Sequence, residues 1–151
     1  MNLIPLIILV HIYKSQIFKS RKLNLQNEIT ITINGKGSQN ILYSQYEFKP
    51  NEILLNGQNS NIDEENKILI LEKEENIVTM KWNNKLIDSR KMFQNLTNII
   101  EIDLTKFDSS DVEKMDYMFN RCTNLKKIII NNSFDTSKVR SMSFCLIFVN
   151  H

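Results

Sequence analysis

Apolar positions follow two different rhythms along this chain. In the stretch Glu28–Asn34, Ile29, Ile31 and Ile33 alternate with Thr30, Thr32 and Asn34. Period two in β-branched residues predicts a strand with one buried face. Glu52–Leu55, Ile68–Leu71 and Ile77–Trp82 also read as short strands, and Asn40–Phe48 as a strand or bend ahead of Pro50. Asn56-Gly57 is a strong hairpin turn pair, and Gly35-Lys36-Gly37 is a turn. The Gly-Lys-Gly spacing matches no nucleotide-binding fingerprint, and no helix pattern follows it.

From Leu86 the rhythm changes and then repeats. Met92-Phe93 recurs as Met118-Phe119, and Phe107, Val112 and Met115 recur as Phe134, Val139 and Met142. Self-similarity at a fixed period is the mark of a repeat architecture. Each copy carries apolar positions at L-x-x-L-x-L spacing: Ile99, Ile102, Leu104, then Leu125, Ile128, Ile130. Residues two apart lie on one face of a strand. The set Val112, Met115, Met118, Phe119 follows in steps of three and four. That spacing predicts one buried stripe of a short helix. Leu86, Ser89, Met92 and Phe93 form a degenerate earlier example of the same set. Asp108 and Asp135 stand where a carboxylate can cap backbone N–H groups entering the turn, with the adjacent Ser and Thr hydroxyls as alternatives.

The ordered elements MF, C-x-x-L, F-D-(S/T)-S and V-x-x-M resemble the BspA-type leucine-rich-repeat surface proteins. The resemblance covers about Leu86 to Phe144. It departs at Leu96, where the family has the Cys that Cys122 keeps, and at Cys145-Leu146, which replaces the third Met-Phe. The expected fold is an α/β repeat: a leucine-rich-repeat-like solenoid of short strand plus short helix units, preceded by a β-rich N-terminal cap region. The expected division is a signal peptide at 1–15, a linker at 16–27, the cap at 28–85 and repeats at 86–151. The full copies run about 92–118 and 118–145. The resemblance implies adhesion or display at a cell surface.

Apolar residues make up 42% of the 151, enough for a core. The formal charge of +2 gives no dense basic patch, so nucleic acid is not an expected partner. Leu3–Ile12 is too short to span a bilayer, which takes about 20 residues. At the N-terminus it fits the apolar region of a secretory signal, with an uncleaved anchor or buried strand as the alternative. Localisation is therefore expected to be secreted or cell surface. Asn95-Leu96-Thr97 and Asn131-Asn132-Ser133 are sequons, which makes Asn95 and Asn131 N-glycosylation candidates.

Catalytic, cofactor and metal assignments are all none. Of the two histidines, His11 lies in the expected signal peptide and His151 is the last residue, so no internal histidine is available. Nucleophile–His systems and Cys/His zinc sites have nothing to build on. Cys122 is expected to be a buried rung of the stack, and a bridge to Cys145 is left open. Trp82 reads as a buried anchor at the seam with the repeats, with a ligand platform as the alternative. The acidic loop Asp63, Glu64, Glu65 lacks the ligand pattern of a calcium loop. The expected binding face is the exposed repeat sheet, lined by Thr97, Glu101, Asp103, Thr123 and Lys127. The expected partner is a protein or glycan at a cell surface, with membrane attachment only through a missing or uncleaved anchor. The apolar stretch Phe144–Val149 leaves the end of the stack uncovered and offers a route to self-association. The alternative function is a truncated or partial member of a longer surface repeat protein, with no independent role. An enzyme built on scattered carboxylates is a third class, in which Asp103→Asn would abolish activity.

Overall fold

The computed structural model describes residues 27–145, apart from 64 and 66. The expected signal peptide, residues 16–26 of the expected linker and the tail beyond Cys145 lie outside the described residues. Among the described residues eight strands make two sheets: β1 (Asn27–Asn34), β2 (Gly37–Asn40), β3 (Glu52–Leu55), β4 (Gln58–Asn59), β5 (Ile68–Leu71), β6 (Glu75–Trp82), β7 (Ile99–Asp103) and β8 (Lys127–Ile129). The larger sheet has the order β4-β3-β6-β1-β7-β8, and β2 pairs with β5 in the smaller one. These strand pairings are antiparallel except β7 with β8, which is parallel; isolated parallel bridges join Asp88 to Lys114 and Lys114 to Ser141.

The alternating segments form strands because one face of each is apolar. Ile29, Ile31 and Ile33 of β1 are fully buried, and so are Val78 and Met80 of β6. The Asn56-Gly57 pair, both at positive φ (51° and 84°), turns β3 into β4. Trp82 is buried, and its indole donates to the Phe48 carbonyl at 2.9 Å. The lead-in strands and the repeats share one sheet, since β1 lies directly between β6 and β7. A bulge at Thr32/Ile33 pairs Ile33 with Ile99 and Thr32 with Glu101, passing over Ile100. That skip is how Ile99 and Ile102, three apart, both reach the core.

The α/β repeat expectation is overturned. Among the described residues there is no helix, and the copies do not make an α/β solenoid. The V-x-x-M-x-x-M-F segments are chains of turns. Met92, Gln94 and Leu96 donate their N–H groups to Ser89, Lys91 and Phe93, three residues back. The intervening N–H groups of Ser89, Lys91, Phe93 and Asn95 leave the segment. They donate to the carbonyls of Lys114, Asp116, Met118 and Asn120 in the next copy at 2.9–3.0 Å. Met115, Tyr117 and Phe119 donate in the same way to Ser141, Ser143 and Cys145. A helix would need those N–H groups for its own carbonyls four residues back. The backbone also forbids it: Lys91, Tyr117 and Phe144, at equivalent positions, have φ of 60°, 57° and 54°. One apolar residue per three-residue turn produces the steps of three that imitate a helical stripe.

The copies lie in register on one another. Phe93 stacks on Phe119 with centroids 6.0 Å apart, and Tyr117 on Phe144 at 5.2 Å. Cys122 is fully buried and its thiol donates to the Phe93 carbonyl at 3.0 Å. Asp108 and Asp135 cap turns as expected, accepting from the N–H groups of Ser110 (3.1 Å) and Ser137 (2.8 Å). Asn27 ties β1 to the repeats: its Oδ1 accepts from the Asp108 N–H at 3.1 Å.

Candidate binding face

One face of the large sheet covers the core and the other is open. The open face is written by the positions between the buried ones, and strand register sets them in rows. The middle row runs Leu54, Thr79, Thr30, Asp103, Ile129. On one side lies Glu52, Lys81, Glu28, and on the other Ile77, Thr32, Glu101, Lys127. Thr30 and Thr79 share a hydroxyl–hydroxyl hydrogen bond of 3.0 Å.

Charge on this face is largely neutralised in place. Lys81 meets Glu52 at 3.1 Å, Lys106 meets Glu28 at 2.8 Å, and Lys127 meets Glu101 at 3.1 Å. Ion pairs at the surface contribute about 0–1 kcal/mol each. Their effect here is to leave a face of low net potential. Asp103 is used differently, since its carboxylate accepts from the Thr105 N–H at 2.8 Å and closes the turn after β7. Glu28, Thr30, Asp103, Thr105 and Lys106 surround a dimple of about 60 Å³, room for a hydroxyl group or a water rather than a substrate.

The five residues expected to line the face divide into two groups. Glu101, Asp103 and Lys127 stand together on β7 and β8. Thr97 and Thr123 are exposed but sit in the turns before those strands, and the Thr97 carbonyl accepts from the Asn124 amide at 2.8 Å. The residues missed are Thr30, Thr32, Thr79, Ile77 and Lys81, which belong to the lead-in strands. Their alternation was visible, but the antiparallel docking of β1 on β7 is a long-range pairing that no local pattern shows. Of the sequon residues, Asn95 is exposed at φ 64°. The amide nitrogen of Asn131 donates to the Thr105 carbonyl, and its Oδ1 accepts from the Ser133 N–H at 2.9 Å.

Groups suited to covalent chemistry are not gathered here. Cys122 and Cys145 are both free thiols, and burial pushes them up to about 12 and about 11. Among the described residues no group of three or more His, Cys, Asp or Glu side chains could hold a metal ion. No described helix is long and apolar enough to cross a membrane.

Residues 61–148 match the model of a family described as "Mycoplasma protein of unknown function, DUF285". The match takes in more than half of the chain. The chain belongs to that family. The DUF285 match begins ahead of β5 and runs through β6 and both repeat copies. No curated protein and no solved structure matches the chain.

Proposed function

We propose that this DUF285 protein is a non-catalytic recognition module, secreted or displayed at a cell surface, that binds protein or glycan through the open face of the large sheet. The observation that carries the proposal is the rows of Thr, Ile and Asp side chains across β6, β1, β7 and β8, whose neighbouring charges are already paired. A broad, shallow, polar face offers many weak contacts to an extended partner and little enclosure to a small substrate. The resemblance of the repeat motifs to BspA-type surface proteins, the apolar N-terminal segment and the exposed Asn95 sequon support the setting.

The test is binding of the labelled protein to intact cells. Thr32→Lys with Thr79→Lys should abolish binding while leaving the melting temperature in place. Binding lost after periodate treatment of the cells assigns a glycan, and binding lost after protease treatment assigns a protein. Undiminished binding by the double variant would overturn the role of the face.

One observation favours a second reading, in which the chain is part of a longer surface repeat protein. Met142 is 46% exposed, whereas Met115, its first-copy equivalent, is buried. A further repeat stacked in the same register would cover it.

A further inference from the structure

A cleft of about 340 Å³ opens where the lead-in loop 41–47 meets the turn 88–91, and none of its lining residues belongs to the strand rows of the open face. Both walls are fixed. The Tyr43 N–H donates to the Met92 carbonyl at 2.9 Å, and buried Tyr46 donates its hydroxyl to the Asp88 carbonyl at 3.1 Å. Arg90 is locked by three bonds to the Asp88 carboxylate through Nε and Nη2. That pairing holds Asp88 below the usual carboxylate range despite its partial burial. A wall set in this way does not need to be ordered by a ligand.

The groups facing the cleft are of both hydrogen-bonding kinds and their charges balance. Arg90 and Lys91 oppose Asp88 and Glu47. Lys91 and Glu47 are exposed, and among the described residues neither forms an ion pair. Gln45 accepts from the Tyr43 hydroxyl at 3.3 Å through Oε1, which leaves its amide N–H groups as donors at the rim. Tyr43 supplies a half-buried aromatic wall. A free anion would meet Glu47 and Asp88, and a cation would meet Arg90 and Lys91. A ring bearing several hydroxyls, each both donor and acceptor, satisfies both kinds of group without a charge mismatch. The volume lies at the lower end of ligand-pocket sizes.

We infer that this cleft binds a single hexose-sized unit of a neutral saccharide, with Tyr43 against the ring and Gln45, Glu47 and Lys91 on its hydroxyls. The site is separate from the sheet face, and its fate does not depend on that of the sheet proposal.

The experiment is an amide-resolved NMR titration of the full chain with methyl glycosides of glucose, galactose, mannose and N-acetylglucosamine. Glycine, acetate and inorganic phosphate serve as the charged comparisons. The expected result is saturable shifts at Tyr43, Gln45 and Lys91 with at least one glycoside, at a Kd of about 1 mM. Gln45→Ala and Glu47→Ala, both at exposed positions, should each weaken that binding about tenfold without moving the melting temperature. Saturation by a charged comparison alone, shifts confined to Thr30, Thr32 and Thr79, or no saturable shift with any glycoside would each overturn the inference.

Discussion

At the scale of single residues, two side chains show what the stacking of copies costs and gains. Ser89 occupies the position that Met115 and Met142 hold in the later copies, and its hydroxyl is fully buried with no partner among the described residues. A buried hydroxyl without a hydrogen bond costs about 1–3 kcal/mol. Ser89→Ala is therefore expected to raise unfolding free energy by about 1 kcal/mol in urea denaturation, and a loss of stability would mean that the hydroxyl is satisfied after all. Asp111 shows the opposite case. It lies between Lys138 and Lys85, bonding to Lys138 and to Lys85 at 2.5 Å, so one carboxylate links equivalent positions of three successive turn segments. The Lys138 hydrogen bond first, and then that of Lys85, hold it down to about 2, below its ordinary value of 3.8. A depressed carboxylate pKa adds stability above the unfolded value, and that stability is lost as pH falls through the folded one. The window thus runs from pH 3.8 down to about 2. NMR titration of the Asp111 carboxyl should give a midpoint near the lower value, and Lys138→Ala should move it upward.

At the scale of elements, the strands with apolar alternation were legible, whereas the polar strands β2 and β4 and the turn segments were not. Ile29, Ile31 and Ile33 declare a strand because period two has no competing explanation there. Steps of three between Val112, Met115 and Met118 have two explanations, a helix or a run of three-residue turns. Deciding between them needs the hydrogen-bond partners of the neighbouring copy, which no single copy contains. The left-handed residues Lys91, Tyr117, Phe144, Asn95 and Arg121 would have been the local clue, yet only Asn95 is of a type that favours that conformation. Two outcomes follow for this element. Far-UV circular dichroism of residues 27–145 should lack the helical double minimum. Arg121→Gly, at φ 61° on the surface, should stabilise by about 1 kcal/mol, because glycine removes the left-handed strain and arginine's side chain is exposed there. A helical spectrum, or a destabilised Arg121→Gly, would contradict the turn architecture. Three of the eight face residues were legible in the same sense: Glu101, Asp103 and Lys127 came from the repeat pattern, while Thr30, Thr32, Thr79, Ile77 and Lys81 needed the pairing of β1 with β6 and β7.

At the scale of the molecule, the two ends of the stacked segments differ, and the difference sets how molecules can meet. The first end is closed by the lead-in region, which places Ile41, Leu42 and Tyr46 in the same buried cluster as Met92 and Phe93. Backbone bonds from Asn34 to Asn98 and from Glu28 to Lys106 seal the sheet side. Among the described residues the other end exposes Ile130, Met142 and Phe144, and leaves Phe134 and Val139 half covered. Phe107, Val112 and Met115, the first-copy equivalents of Phe134, Val139 and Met142, are buried by the next copy, so the chain itself shows the kind of surface that fits. With one end closed, head-to-tail addition has no second site to use, and contact between open ends produces a closed pair instead of a filament. Sedimentation velocity over a range of concentrations should therefore show a monomer–dimer equilibrium that stops at two. Met142→Lys with Phe144→Lys should hold the protein monomeric at all of them. Species beyond the dimer, or a dimer indifferent to both substitutions, would place the contact elsewhere, with the uncovered edge of β8 the next surface to examine.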